Sequence, residues 1–198
     1  MQKAFSTFLN SVSALCPKVS SSELEYLAGG ISVTEWKARN FYLHAGTVQT
    51  QIGFVYSGLI RAFYIDGKGH EISVHFMREG QYATHYPAFL SQTASKYHFQ
   101  CIEPTVTVDI PFSLIQEGYD RFPNLDRFGR LIADSVLIVQ QKRIEGFLFE
   151  NAEERYLAFV RENPDLFNRV SISQLASYLG IERQSLTRIR KKLAHYSF

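Results

Sequence analysis

The chain reads as an α+β protein with an N-terminal antiparallel β-roll of jelly-roll type, a long central helix and a C-terminal helix-turn-helix. Three observations predict this. Between Ile31 and Ile110, β-branched and aromatic residues fall in short runs broken by glycines, the pattern of an antiparallel barrel or jelly roll. From about Pro123 to Phe149, apolar residues step by three and four over a length that only a long helix accommodates. Residues 171–193 then carry two short helical patterns joined at Gly180.

In chain order, residues near Phe5–Leu15 and Ser21–Ala28 have helical spacing, the second opened by a serine run with Glu23 and Glu25 in its first turn and ended by Gly29-Gly30. The predicted strands are Ile31–Ala38, Phe41–His44, Ile52–Tyr56, Leu59–Ile65, Glu71–Phe76, Tyr97–Ile102 and Thr105–Ile110. Asp66-Gly-Lys-Gly69 between two of them is a hairpin turn. A short helix follows at Phe112–Tyr119. In the long helix Leu125, Phe128, Ile132, Ser135, Ile138/Val139 and Lys142 form one stripe, widened by Leu131, Val136 and Leu137. A stripe wider than one face suits contact with both the roll and a second subunit. Glu150-Asn151 is a candidate hinge, Ala152–Glu162 a helix, and Asn163-Pro164-Asp165 its break.

The C-terminal pair carries the chemistry. Ser171 and Gln174 form a capping-box start, because the hydroxyl can accept from the Gln174 amide while the Gln174 side chain reaches back. Ile172, Leu175, Ala176 and Leu179 form the inner face of the first helix, and Leu186, Ile189 and Leu193 that of the second. Gly180 takes the tight turn between them. The opposite face of the second helix presents Arg183, Gln184, Ser185, Thr187, Arg188 and Lys191, side chains that hydrogen-bond base edges or phosphates in a major groove. No acid follows Glu182 in that helix, and residues 151–198 hold eight Lys/Arg against five Asp/Glu although the whole chain is only +2. Positive charge thus collects where phosphate neutralisation would need it. Double-stranded DNA is the expected partner.

Composition excludes several classes. With 198 residues and 45% hydrophobic content the chain can build a packed core. It has no apolar run of membrane-spanning length and no signal-peptide pattern at Met1–Phe8, so a cytoplasmic location without membrane contact is expected. Cys16 and Cys101 cannot supply a four-cysteine zinc or iron–sulfur site. The six histidines are scattered singly, without the clusters a cupin-like metal enzyme needs, and neither a nucleophile triad nor a phosphate-cradling loop is present; an enzyme is not expected.

In order and in motif, the chain resembles the Crp/Fnr family of bacterial transcription regulators. The resemblance is carried by Phe41-Tyr-Leu-His-Ala-Gly46, Phe54-Val-Tyr-Ser-Gly-Leu-Ile-Arg-Ala-Phe-Tyr64, Asp66-Gly-Lys-Gly-His-Glu71, Phe76-Met-Arg-Glu-Gly-Gln-Tyr82 and the helix-turn-helix. It implies a cyclic-nucleotide-binding-like roll over 1–122, a dimerisation helix and hinge over 123–150, and a DNA-binding domain over 151–198. It also implies a homodimer that reads a near-palindromic site, with RNA polymerase as a further candidate partner. The family's recognition helix has the pattern Arg-Glu-x-x-x-Arg; this chain has Arg183-Gln184-Ser185-Leu186-Thr187-Arg188, so both arginines carry over and the glutamate is a glutamine. An altered base preference is expected there.

Two departures bear on function. Where the family's cassette places Gly-Glu for the ribose and Arg-Ser for the cyclic phosphate, a gapless count from Gly80 finds Thr84-His85 and Ser95-Lys96. The carboxylate is gone, and Lys96 replaces the guanidinium only with a point charge, so standard binding of cyclic AMP is not expected and no cofactor is assigned. The helix-turn-helix is followed only by residues up to Phe198, which predicts a shortened or absent wing. His75, Tyr82, Thr84, His85, Ser95 and Lys96, with Tyr86 and Arg78 nearby, are candidate lining residues of a ligand pocket in the roll; the alternative is packing or surface roles for each. His75 could serve as an axial haem ligand, but nothing around it in sequence singles it out. A protein-interaction or small-ligand-binding roll module remains the alternative to a DNA reader.

Overall fold

The computed structural model describes residues 1–194. Helices α1 (Gln2–Leu15) and α2 (Ser21–Gly30) precede strands β1 (Ser32–Trp36), β2 (Phe41–Leu43), β3 (Gln51–Ser57), β4 (Ile60–Ile65), β5 (Glu71–Met77) and β6 (Tyr82–Ala83). Then come α3 (Tyr86–Ser91), β7 (His98–Cys101), β8 (Thr105–Pro111), α4 (Phe112–Arg121) and α5 (Pro123–Phe149). The chain continues through α6 (Ala152–Glu162), a 3₁₀ turn at Leu166–Asn168, α7 (Ile172–Leu179) and α8 (Arg183–Ala194). The expectation of a shortened or absent wing falls on residues 195–198, which lie outside the described residues. Among the described residues no helix is long and apolar enough to cross a membrane.

The strands form two four-stranded sheets, ordered β1-β8-β3-β6 and β2-β7-β4-β5. The chain divides into two compact units, Met1–Ala62 with Phe76–Leu137, and Phe63–His75 with the chain from Ile138 onward.

The first unit is organised around β8. It pairs antiparallel with β1, Ser32 opposite Asp109 and Trp36 opposite Thr105, and with β3, Ile52 opposite Ile110. A strand with a neighbour on each side and covered on both faces is largely buried, as Thr105, Thr107, Val108, Asp109 and Ile110 are. Alternation sends Val108 and Ile110 to the helix side, where they meet Ala4, Phe8 and Val12 of α1, together with Leu27, Phe54 and Leu125. The α1 residues recur every four positions, one stripe of a helix, and burying a side chain such as Phe8 contributes about 2–3 kcal/mol. α2 starts with a full capping box, Ser20 Oγ accepting from the Glu23 amide and the Glu23 carboxylate from the Ser20 amide. Gly29 and Gly30, expected to end α2, complete its last turn instead; the break comes at Ile31, whose backbone turns extended as the chain enters β1.

The opposite face of β8 is polar. Thr34 Oγ1 donates to Asp109 Oδ2 at 2.6 Å, and Trp36 Nε1 donates to Thr107 Oγ1 at 2.9 Å. Burial pushes the Asp109 carboxyl above the usual carboxylate range, opposed in part by the hydroxyls of Thr34, Thr107 and Tyr42. The folded state therefore binds this proton more tightly than the unfolded chain. Its stabilising contribution is present below the unfolded-chain pKa of 3.8 and is lost as pH rises through the higher folded value. Asp109→Asn, which carries no charge, is expected to raise the thermal midpoint at pH 7 by roughly a few degrees and to leave it unchanged at pH 3. Calorimetric melts of both proteins across that range check this.

β6 and α3 lie in the aromatic tract Tyr82–Ser91, where the sequence shows neither period: the strand is two residues long, and Pro87 sits in the first turn of the helix. The Asp66–Gly69 hairpin forms as expected, with the Asp66 carboxylate accepting from the amides of Lys68 and His70.

Candidate nucleic-acid interface

The second unit builds the helix-turn-helix from α7 and α8. Ser171 Oγ accepts from the Gln174 amide, and Gln174 Oε1 accepts from the Ser171 amide at 3.0 Å, so two of the four free amides at the start of α7 are satisfied. Leu175, Ala176 and Leu179 are buried, Ile172 half-buried. Gly180 adopts φ +67°, and the Ile181 amide reaches back to the Ala176 carbonyl, closing the helix. A side chain at Gly180 would be strained and would place its Cβ 2.8 Å from the Phe147 ring.

The Tyr178 and Leu179 carbonyls are capped by arginines from other helices. Arg143 Nη2 of α5 donates to the Tyr178 carbonyl at 2.9 Å, and Arg155 Nε of α6 to the Leu179 carbonyl at 3.0 Å. The Arg143 guanidinium also lies 3.9 Å from the Tyr178 ring centroid, and both arginines approach Phe147. Cations at the negative end of a helix are favourable, so these two contacts fix the orientation of α7. From the β4–β5 hairpin, the Ser73 amide donates to Ser177 Oγ at 3.2 Å, and Ser177 Oγ donates to Ser73 Oγ at 2.8 Å. α6 opens at Asn151, whose side chain accepts from the amides of Glu153 and Glu154. Asn151, expected from sequence to lie in a hinge, caps α6. Arg143, Arg155 and the Ser73–Ser177 contact are not visible in sequence, because each joins residues far apart in the chain.

α8 rests on Leu186, which is fully buried, with Ile189 and Leu193 half-buried beside it. Spacing alone orients the rest. Arg183, Gln184, Arg188 and Lys191 are exposed, and among the described residues no hydrogen bond or ion pair occupies their side chains. Ser185 and Thr187 are half-buried, and the Thr187 hydroxyl donates to the Arg183 carbonyl at 3.0 Å, leaving its oxygen to accept. The other cations of the helix are engaged: Arg190 lies 4.4 Å from the Phe167 ring centroid, and Lys192 Nζ pairs with Glu153 at 2.8 Å. The exposed face therefore offers two guanidiniums, an amide and an ammonium, all able to meet phosphates or base edges.

The six residues proposed from sequence as a ligand pocket fall in different settings, although Thr84 Oγ1 and the His85 amide share Gln49 Oε1 as acceptor. Tyr82 and Thr84 line a cavity of the first unit, together with Tyr86. His85, Ser95 and Lys96 gather at the start of α3: the His85 ring accepts from the Lys96 amide at 3.4 Å and packs on Tyr97, and Ser95 Oγ is engaged with its own turn at Tyr97. Burial, with the nearby Lys96 charge, holds the His85 ring below its usual range. His75 belongs to the second unit, where burial, reinforced by Arg143, pulls it down to about 4 and keeps it neutral at physiological pH. Sequence proximity grouped it with the others, and β5 is divided between the two units after His75. Among the described residues no group of three or more His, Cys, Asp or Glu could hold a metal ion.

A two-sheet roll followed by a long helix and a C-terminal helix-turn-helix is the fold of Crp/Fnr-type regulators. The global regulator CLP of Xanthomonas campestris, described as responsive to c-di-GMP, has this fold: TM-score 0.70 at 15% identity over 89% of this chain and 92% of that one. FixK2 of Bradyrhizobium japonicum superposes with TM-score 0.74 at 14% identity, covering 84% and 85%. A transcriptional regulator of the CRP/FNR family from Thermus thermophilus gives 0.69 at 17% identity, covering 84% and 88%. No family model matches the sequence, and no curated protein matches it. The likeness is one of fold.

Proposed function

We propose that this chain is a DNA-binding transcription regulator of Crp/Fnr type, acting in the cytoplasmic compartment as a homodimer joined along α5 and reading a near-palindromic site with one α8 in each half. The observation that carries this reading is the exposed face of α8, where Arg183, Gln184, Arg188 and Lys191 stand without partners among the described residues on a helix seated by Leu186. The fold shared with known regulators supports it. Dimerisation is supported by Leu137, Ile144 and Leu148 of α5, which are 67%, 52% and 70% exposed and lie at seven- and four-residue spacing, one side of a helix. A two-fold dimer of this kind requires half-sites about one helical turn of DNA apart.

The sensor cassette is read as degenerate. Thr84 Oγ1 donates to Gln49 Oε1, and Ser95 Oγ is bonded within its own turn, so the hydroxyls standing at the nucleotide positions are already engaged. Neither a carboxylate for a ribose nor a guanidinium for a cyclic phosphate stands at those positions.

Selection of bound duplexes from a randomised pool, with purified protein and no added effector, tests the reading, accompanied by sedimentation for oligomeric state. Enrichment of a near-palindrome by a dimer is expected; binding without sequence enrichment by a monomer would overturn it. Within the same assay, Lys191→Ala is expected to weaken all duplexes alike, about three- to tenfold at low salt, and to reduce the slope of log affinity against log salt by roughly one. Titrations at several salt concentrations measure both.

A further inference from the structure

We propose that the first unit holds a binding site for a small neutral aromatic alcohol of the phenol class, in a cavity on the helix side of the sheet that contains β3, β6 and β8. The cavity has a volume of about 70 Å³ and is lined by Ile52, Ile110 and Thr84 from the sheet side, Phe8 and Leu27 from α1 and α2, Ile115 from α4, and Ile132 from α5. A single water needs roughly 10–15 Å³ of such space, so this one admits a molecule of about five to seven non-hydrogen atoms; a nucleotide is several times too large.

Its chemistry restricts the occupant further. No Lys, Arg, Asp, Glu or His lines the cavity, so a charged ligand would be desolvated without a counter-charge. The polar groups on its wall are hydroxyls. Thr84 is committed to Gln49. Tyr119, whose hydroxyl lies over Gly129 of α5, and Tyr86 make no hydrogen bond among the described residues, and the two phenols are close enough to influence each other electrostatically. Burial, with smaller contributions from Tyr86 and Asp126, pushes the Tyr119 hydroxyl up to about 12, so it stays protonated and can both donate and accept. Concave, mostly apolar walls with one or two convergent polar groups are the usual makeup of small-molecule sites. A ligand with one hydroxyl on an apolar ring satisfies both features; a saturated hydrocarbon leaves the tyrosines unpaired, and an anion has no partner. His85, Ser95 and Lys96 do not line the cavity, although the His85 amide shares Gln49 Oε1 as acceptor with Thr84 Oγ1, and the proposal does not depend on the DNA-binding reading.

The test uses phenol and toluene as probes of nearly equal shape, titrated calorimetrically into the full-length protein, with Tyr119→Phe and Ile132→Phe variants checked for folding by circular dichroism. Saturable phenol binding at millimolar concentration or tighter is expected, weakened about fivefold in Tyr119→Phe, with toluene binding unchanged by that substitution. Ile132→Phe fills the cavity and is expected to abolish both. Absence of saturable phenol binding by the folded protein would overturn the proposal, as would phenol binding unaffected by a folded Ile132→Phe. If Ile132→Phe does not fold, the phenol–toluene comparison in Tyr119→Phe decides: equal effects on the two probes overturn the assignment of the hydroxyl, and a selective loss of phenol supports it.

Discussion

Arg183→Ala is expected to weaken binding to the selected duplex by about ten- to a hundredfold, or roughly 1–3 kcal/mol, and to relax base choice at one position of each half-site. Arg183 is the first residue of α8, exposed, with no partner among the described residues to hold it back from a groove. A recognition helix contacts base edges through its N-terminal residues, and a guanidinium pairs with guanine O6 and N7 through two parallel hydrogen bonds. Alanine removes both bonds and leaves the guanine acceptors facing a methyl group. A glutamine amide such as that of Gln184 next to it can pair with adenine N6 and N7, so the base at that neighbouring position should keep its preference in the variant. Repeating the pool selection with Arg183→Ala distinguishes this from a phosphate contact, which would lower affinity for every sequence without changing the enriched one. An unchanged enriched sequence would show that α8 does not enter the groove by this end.

Gly58→Ala should destabilise the first unit by about 3–5 kcal/mol. Gly58 takes φ +97° in the turn between β3 and β4, and its amide donates to Glu79 Oε1 at 2.8 Å. A Cβ there would lie 2.6 Å from the Pro104 carbonyl oxygen and 2.7 Å from the Thr105 Cα. Both are backbone atoms at the entry to β8, the strand paired to β1 and β3, so neither can move without disturbing the register of the sheet. A flexible side chain could yield; a paired strand does not. Denaturant unfolding followed by tyrosine and tryptophan fluorescence, with Trp36 on β1 reporting the first unit, measures the loss. A fall of less than about 1 kcal/mol would mean that the turn is not packed against residues 104 and 105 as described.

Trp36 and Asp109 also show where sequence reading reaches its limit. The alternation of β8 was legible, but the sequence does not say which of its faces meets α1 and which turns toward Thr34 and Trp36. The three-state outline was otherwise readable because its signals are local: the period of α5, the capping box at Ser171, the Asp66 hairpin, and the glycine of the α7–α8 turn each depend on residues within a few positions of one another. β6 and α3 were not, since two strand residues and a six-residue helix are too short to show a period.

The candidate site divides in the same way. By itself the sequence determined the architecture in outline and the residue types of the α8 outer face, because each follows from side-chain type and local spacing. Only the tertiary structure decided which cations of α8 stay available: Lys192 is taken up by Glu153, 39 residues away, and Arg190 by the Phe167 ring, whereas Lys191 has no such contact among the described residues. It likewise decided that the β4–β5 hairpin is grouped with the helix-turn-helix, that Arg143 and Arg155 hold the end of α7, and that Tyr82 and Thr84 share a cavity wall with Tyr119. The physical reason is common to all of these. They are set by packing between segments distant in the chain, where burial and hydrogen-bond satisfaction choose among partners that local sequence leaves equivalent.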